Sequence, residues 1–116
     1  MLATGNESRD FIDIQDVLRA ITLPLKNDKM WGNCYNVGSG RGIKVKDLLT
    51  LMPEELDKTS NISFTGKSWQ GDILGISANI NKIRRLGFEP AIDLRIGIKK
   101  FIKAERANGL LANTIF

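Results

Sequence analysis

Short runs of apolar residues alternate along the chain with longer stretches in which apolar residues recur every three or four positions. The short runs, at 11–14, 34–37 and 61–65, contain β-branched and aromatic residues, and we expect each to be a strand. A further run, 73–76, predicts a brief extended segment. The longer stretches predict amphipathic helices. Because the two kinds of pattern alternate, the predicted fold class is α/β.

Capping residues set the expected limits of these helices. Asp16 precedes Val17 and the apolar positions that follow, so we predict that Asp16 is the N-cap of a helix ending near Pro24. Asp10 and Asp13 are interpreted as structural hydrogen-bond acceptors. Further helices are predicted over 45–52, 53–55, 79–87 (capped by Asn79) and 93–109 (capped by Asp93), the last with a core-facing stripe of Leu94, Ile98, Phe101 and Ile102.

The composition narrows the classes of function. The 116 residues predict one domain, residues 1–109, followed by a tail, 110–116. The net charge of +4 favours anionic partners, which include nucleic acid and phosphorylated metabolites. The single cysteine, Cys34, favours the cytoplasm and is expected to be buried and inert. The absence of histidine removes the commonest general base and metal ligand, and no apolar run reaches membrane-spanning length, so we predict neither a metal site nor a membrane partner.

The glycines at Gly38, Gly40 and Gly42 invite a cofactor-binding interpretation that their spacing does not support. A dinucleotide-binding turn needs G-x-G-x-x-G, and position 43 is Ile43. A phosphate-binding loop of the G-x-x-x-x-G-K-S/T type is absent as well. We therefore interpret this segment as a turn that needs positive φ angles, and we predict no cofactor site in this chain.

Arg9 is the residue whose chemistry stands out. A guanidinium at the mouth of a strand can bind a phosphate with two parallel hydrogen bonds. On spacing alone, an arginine that merely covers the surface is the commoner case. The interpretation changes when the surrounding motifs are considered together.

These motifs resemble those of the extended short-chain dehydrogenases, the NAD-dependent nucleotide-sugar epimerases and dehydratases. They follow the family's order from Gly5 to about Lys103: Arg9-Asp10-Phe11 with Asp16, then Tyr35-Asn36-Val37-Gly38-Ser39-Gly40, Gly71-Asp72, and the 79–90 segment with Lys82, Leu86, Gly87, Phe88 and Pro90. The resemblance implies a small C-terminal substrate-binding domain, with the Rossmann half missing. It also implies NAD as the cofactor of the full-length enzyme and a nucleoside diphosphate sugar as its ligand.

The resemblance implies roles for four residues. Arg9 would bind the diphosphate, Asp72 would accept hydrogen bonds from the ribose hydroxyls, and Phe11 would flank the same pocket. Trp69 stands where the family places a second phosphate-binding arginine. Either Lys67 supplies that charge, or the Trp69 ring stacks on a base or sugar, or Trp69 only covers the core of its loop.

The family's catalytic pair, a tyrosine and a lysine four residues later, does not occur here. The one tyrosine is Tyr35, and position 39 is Ser39. We therefore expect the chain alone neither to bind NAD nor to turn over a sugar nucleotide. We also expect an apolar surface, left uncovered by the missing N-terminal domain, that promotes self-association. The alternatives are a small basic module that binds nucleic acid or another polyanion, which the sparse aromatic residues disfavour, and a purely structural domain.

Overall fold

The computed structural model describes residues 4–67 and 70–109. Within these ranges the chain forms two short strands, four α-helices and two 3₁₀ turns. The strands are β1 (Ser8–Asp10) and β2 (Gly42–Lys44), and the 3₁₀ turns are Leu23–Leu25 and Asp28–Met30. The helices are α1 (Ile14–Thr22), α2 (Val45–Leu56), α3 (Asn81–Arg84) and α4 (Leu94–Ala107).

Strand β1 lies between two other segments. On one side it pairs antiparallel with β2, with Arg9 opposite Ile43. On the other side Ser8 forms a parallel bridge with Gly75. The Ser8 amide donates to the Leu74 carbonyl at 2.8 Å, and the Ile76 amide donates to the Ser8 carbonyl at 3.2 Å. The extended segment predicted at 73–76 is confirmed, and β1 becomes the centre of the small sheet.

A compact apolar core packs beneath α1 and α3. Phe88, Ile80 and Ile83 are at most 2% exposed. Gly87, with φ of 92°, turns the chain between α3 and Phe88. Helices α2 and α4 pack against each other, and the Arg95 guanidinium bridges them by donating to both Glu54 and Glu55. The remaining members of the core cluster and its partly buried neighbours are Ala20, Met30, Ile12, Leu23, Tyr35, Ala78 and Leu86.

The first helix begins earlier than predicted, and the prediction that Asp16 caps it is wrong. The N-cap is Asp13, whose backbone is extended and whose carboxylate accepts from the Gln15 amide at 2.8 Å. Asp16 lies in the first turn and is fully buried. Its carboxylate accepts from the main-chain amides of Ala91 and Ile92 and from Arg19. Asp16 therefore connects α1 to the segment that precedes α4.

The strands predicted at 34–37 and 61–65 are not formed: in the described part of the chain, neither run belongs to a strand. Lys82 fixes the first run instead. Its ammonium donates to the Cys34 carbonyl at 2.9 Å and lies 4.7 Å from the centre of the Tyr35 ring. Cys34 itself is exposed, so the expectation of a buried thiol is wrong.

The last helix confirms most of its prediction. Asp93 is its N-cap and accepts from the Arg95 amide at 2.9 Å, as the sequence indicates. Ile98 and Ile102 are buried, but Phe101 is 58% exposed and does not belong to the core-facing stripe. No helix in the ranges 4–67 and 70–109 combines the length and apolar composition needed to cross a bilayer.

Helix α1 presents an apolar surface to solvent. Ile14, Leu18 and Ile21 follow one another at helical spacing and are 67%, 53% and 62% exposed. Asp16 and Ala20, on the opposite face, are buried. We call the three exposed side chains the α1 apolar face. Exposed apolar side chains in a contiguous row favour association with another surface.

We expect the 116-residue chain to self-associate and to bind a hydrophobic dye through the α1 apolar face. Leu18→Lys is expected to lower both the mass measured by sedimentation equilibrium and the dye fluorescence, because it places a charge within that face. Ala104→Lys is the matched control, since Ala104 is exposed on α4. The prediction is contradicted if the parent chain, at high protein concentration, stays monomeric and does not increase the fluorescence of the dye.

Candidate functional site

The Arg9 guanidinium is fixed by three hydrogen bonds at the edge of β1. Its Nη1 donates to the Ser8 and Ile73 carbonyls, each at 2.8 Å, and its Nη2 donates to Asp72 Oδ1 at 3.1 Å. The side chain remains 36% exposed. The arginine is therefore oriented by its neighbours while part of it still faces solvent.

Asp72 reaches Arg9 from a loop 63 positions further along the chain. Gly71, the preceding residue, has φ of 92°, which turns the chain so that Asp72 points back toward β1. The structure thus brings together two of the residues singled out in the sequence. Trp69 lies outside the described residues, and Lys67 is exposed.

Phe11 lies in a different environment from the Arg9–Asp72 pair. It lines a crevice of about 210 Å³ with Ser39 and Arg41. It also lines an apolar groove of about 570 Å³ between α1, α2 and α4, beside Phe101. Neither Arg9 nor Asp72 borders these two cavities. A shared pocket for Phe11 and Arg9 stays a prediction from the family motif.

Asp10, interpreted from the sequence as a structural acceptor, is the most heavily hydrogen-bonded side chain near Arg9. Its Oδ1 accepts from the Ser39 amide at 2.7 Å and from the Ser39 hydroxyl at 2.5 Å. Its Oδ2 accepts from the amides of Gly40 at 3.0 Å and Ala78 at 2.9 Å. Burial alone raises the pKa of Asp10, but the hydrogen bonds from Ser39, Ala78 and Gly40 outweigh burial and lower it. Asp10 is therefore a carboxylate at neutral pH.

The sequence predicted positive φ angles in the glycine-rich turn around Ser39, and only one of its three glycines has one. Gly40 has φ of 74°. Gly38 is needed for space, since a Cβ there would lie 2.6 Å from the Ala78 Cβ and 2.7 Å from Asp10 Oδ2. Gly42 is part of β2 and has no positive φ. The turn is therefore packed tightly against Asp10.

Two curated proteins match most of this chain. A putative UDP-glucose 4-epimerase from Methanocaldococcus jannaschii is 30% identical over 105 residues, which is 90% of this chain and 33% of the relative. CDP-abequose synthase from Salmonella typhimurium is 32% identical over 105 residues, 86% of this chain and 35% of the relative. The chain thus spans about a third of the length of these relatives. No protein-family model matches it.

The fold agrees with the sequence comparison. UDP-glucose 4-epimerase from Thermotoga maritima, solved with UDP-glucose, superposes on this chain with a TM-score of 0.79 at 26% identity. The match covers 93% of this chain and 34% of the Thermotoga enzyme. The match falls on the C-terminal portion of such enzymes. The chain is homologous to the C-terminal part of NAD-dependent nucleotide-sugar epimerases and dehydratases. These are the extended short-chain dehydrogenases that the sequence motifs resemble.

The family's Arg-Asp-Phe motif covers the last two residues of β1 and the residue after it, and its side chains reach different parts of the fold. Arg9 reaches Asp72, and Asp10 reaches Ser39 and Ala78. Sequence reasoning assigned Asp10 a structural role without finding its partners. The sequence feature that could have revealed these partners is the Gly38-Ser39-Gly40 turn. Its main-chain amides need an acceptor, and its glycine spacing does not match a dinucleotide-binding turn. No group of three or more Cys, Asp or Glu side chains in the described residues could bind a metal ion.

Glu7 is a buried carboxylate just before β1. The amide and hydroxyl of Thr4 donate to its Oε1 at 3.0 and 2.8 Å. The main-chain hydrogen bond from Thr4 is the largest cause that lowers the pKa of Glu7 from 4.5 to about 2. Because the pKa is lower in the folded state, ionised Glu7 stabilises the fold above pH 4.5, and this contribution is lost as the pH falls toward 2.

We expect the free energy of unfolding to be nearly constant above about pH 5 and to fall between pH 4.5 and 2. Asp10 and Asp16 contribute in the same direction, because both have lowered pKa values. Urea unfolding at several pH values measures the slope. Glu7→Gln is expected to make the acid limb shallower, whereas Asp28→Asn, at an exposed position, is expected to leave it unchanged. An unchanged slope in Glu7→Gln would show that Glu7 is not linked to folding.

Proposed function

We propose that this chain binds the nucleoside diphosphate part of a nucleotide sugar, as the substrate-binding part of an NAD-dependent epimerase or dehydratase. The observation that carries the proposal is the oriented Arg9 guanidinium beside the Asp72 carboxylate at the edge of β1. A cation and an acceptor side by side match a ligand that combines phosphate oxygens with ribose hydroxyls. The homologous enzyme from Thermotoga maritima was solved with UDP-glucose, which has both groups.

Arg9 has donors to spare for a diphosphate. A guanidinium carries five N–H groups, and three hydrogen bonds to neighbours in the described chain leave two for a ligand. Those three bonds also fix the plane of the group before any ligand arrives. An arginine that is already ordered loses less conformational freedom on binding than a free one, which favours affinity.

Asp72 is placed to bind the ribose. Its Oδ1 accepts from Arg9, and the carboxylate has further acceptor sites for a pair of hydroxyl groups. The side chain is 19% exposed, so its hydrogen bonds are partly protected from water. Phe11 and Trp69 are proposed to flank the ligand on the strength of the family motif, with Lys67 as the alternative to Trp69.

The described residues do not fit NAD at the glycine-rich turn. The amides of Ser39 and Gly40, which a pyrophosphate would need, already bind the Asp10 carboxylate. Negative charge there disfavours a second anion. We therefore propose that a separate N-terminal domain binds NAD in the cytoplasmic full-length enzyme and packs on the α1 apolar face. Two similar structures were solved with NAD: the WbmF enzyme of Bordetella bronchiseptica and MoeE5.

The alternative, a general polyanion-binding module, needs a concentrated and free basic surface. The described ion pairs engage six of the seventeen lysines and arginines with nearby carboxylates. These cations are Arg9, Arg19, Arg84, Arg95, Lys99 and Lys100. The sparse aromatic residues, 7% of the sequence, disfavour a surface on which nucleic-acid bases stack.

Calorimetric titration of the 116-residue chain with UDP, CDP and GDP tests the proposed function. We expect saturable binding of at least one diphosphate at one site per chain, and no saturable binding of NAD or of uridine alone. Uridine lacks the phosphates that Arg9 would contact. Heats that remain at the dilution level for all three nucleoside diphosphates would refute the proposal. Equal binding of single-stranded DNA, with a steep dependence on salt, would favour the polyanion module.

A further inference from the structure

Three consecutive residues of β1 bind one seven-residue segment, 72–78. Arg9 contacts Asp72 and the Ile73 carbonyl at its start. The Ser8 main chain exchanges hydrogen bonds with Leu74 and Ile76 in its middle. Asp10 accepts from the Ala78 amide at its end. Because neighbouring side chains of a strand point to opposite faces, Arg9 and Asp10 bind this segment from opposite faces of β1.

We propose that Asp10 is a positioning residue of the nucleotide site. This inference rests on the proposed function. The Asp10 carboxylate fixes the end of the 72–78 segment against the Ser39 turn, and through that segment it sets the position of Asp72 beside Arg9. Asp10 itself is not proposed to contact the ligand.

The geometry leaves no easy substitute for a carboxylate at this position. Each Asp10 oxygen accepts two hydrogen bonds, and all four donors are N–H or O–H groups. An asparagine has one acceptor oxygen, so its NH₂ group would face donors whichever way the amide turned. Gly38 closes the space beside Oδ2, where even a Cβ would lie 2.7 Å away. A shift of the Ala78 end is therefore the expected response to Asp10→Asn.

Asp16 provides a matched control. Its carboxylate is fully buried, where Asp10 is half-buried, and it accepts from two main-chain amides, those of Ala91 and Ile92. It fixes the segment before α4 and has no contact with the 72–78 segment among its hydrogen bonds. Asp16→Asn therefore removes a carboxylate that accepts from main-chain amides, without the proposed effect on Asp72.

The first experiment measures UDP affinity of the parent chain and its variants by calorimetry. We expect Asp10→Asn to weaken binding about tenfold and Asp16→Asn to change it by less than about twofold. Ser39→Ala, which removes one of the four hydrogen bonds, is expected to weaken binding by about twofold to threefold and keeps the test open if Asp10→Asn does not fold. In an Asp72→Asn background, Asp10→Asn is expected to add less than about threefold, since Asp10 acts through Asp72.

The second experiment needs no ligand and separates this inference from the proposed function. Amide hydrogen exchange of Ile76 and Ala78 is expected to accelerate about tenfold in Asp10→Asn and to stay unchanged in Asp16→Asn. If UDP binds the parent and Arg9→Ala weakens it, the proposed function stands. If the folded Asp10→Asn variant then binds UDP as tightly as the parent, Asp10 is not a positioning residue. The same conclusion follows if the loss of UDP affinity in the double variant equals the product of the losses in Asp10→Asn and Asp72→Asn. Unchanged exchange of Ile76 and Ala78 in Asp10→Asn overturns it as well, whether or not UDP binds.

Discussion

Replacing Arg9 with alanine is expected to weaken the binding of a nucleoside diphosphate by about tenfold to hundredfold, because one charge-assisted contact contributes about 1.5–3 kcal/mol. The substitution removes the guanidinium that is proposed to bind the phosphates and that lies 3.1 Å from Asp72 Oδ1. It also leaves Asp72 without its cation, so that a negative charge would meet the incoming phosphates. Calorimetry with UDP, and with CDP or GDP if they bind, measures the loss.

Two further variants make this prediction specific. Arg9→Lys is expected to recover only part of the affinity, because an ammonium group cannot form two parallel contacts with a phosphate. Arg84→Ala is the control: Arg84 is 39% exposed against 36% for Arg9, and it also pairs with a carboxylate, that of Glu89. Parent-like affinity in Arg9→Ala, with circular dichroism showing an intact fold, would remove Arg9 from the site.

Phe88→Ala is expected to be the most destabilising single change, lowering the free energy of unfolding by about 3–5 kcal/mol. Phe88 is 2% exposed and packs in the core cluster with Ile80 and Ile83. The cluster contains few side chains, so neighbouring residues cannot refill the space. Urea unfolding followed by circular dichroism measures the change, and a chain that is already unfolded without denaturant agrees with the prediction.

Phe101→Ala is the matched control for Phe88→Ala. The same atoms are removed from a side chain that is 58% exposed, so the expected loss is below about 1 kcal/mol. Comparable losses at the two positions would contradict the placement of Phe101 outside the core. A small loss at Phe88 would contradict its place inside it.

The sequence predicted the helical elements better than the strands, and the reason is the range of the interactions involved. The cap at Asp93 and the glycine turn at Gly87 depend on residues within a few positions, so a local pattern contains the information. A strand needs a partner far away in the chain. The 34–37 run has suitable residues but belongs to no strand. The strand expected to open at Arg9 and to include the 11–14 run ends at Asp10 instead, because the segments that pair with it are Gly42–Lys44 and Gly75.

The same distinction explains the candidate site. Arg9 and Asp72 were predicted from motifs, and the structure brings them within 3.1 Å of each other. The proximity itself was not predictable, because 63 positions separate the two residues. Asp16 shows the opposite case. Its position before an apolar helix is typical of an N-cap. In the folded chain its carboxylate instead accepts hydrogen bonds from the amides of Ala91 and Ile92.

The long reach of β1 and Asp16 has a consequence for synthesis on the ribosome. Contacts between distant residues require a large loop to close before they stabilise anything, and they therefore form late. Asp16 cannot accept a hydrogen bond from Ile92 until that residue has left the exit tunnel. In the same way, Arg9 cannot form its ion pair until Asp72 has left the tunnel. The N-terminal third of the chain therefore lacks these contacts of Arg9 and Asp16 until the C-terminal third has been made. A premature stop before residue 91 removes both main-chain donors to Asp16, and such a product is expected to be a substrate for chaperones and proteases.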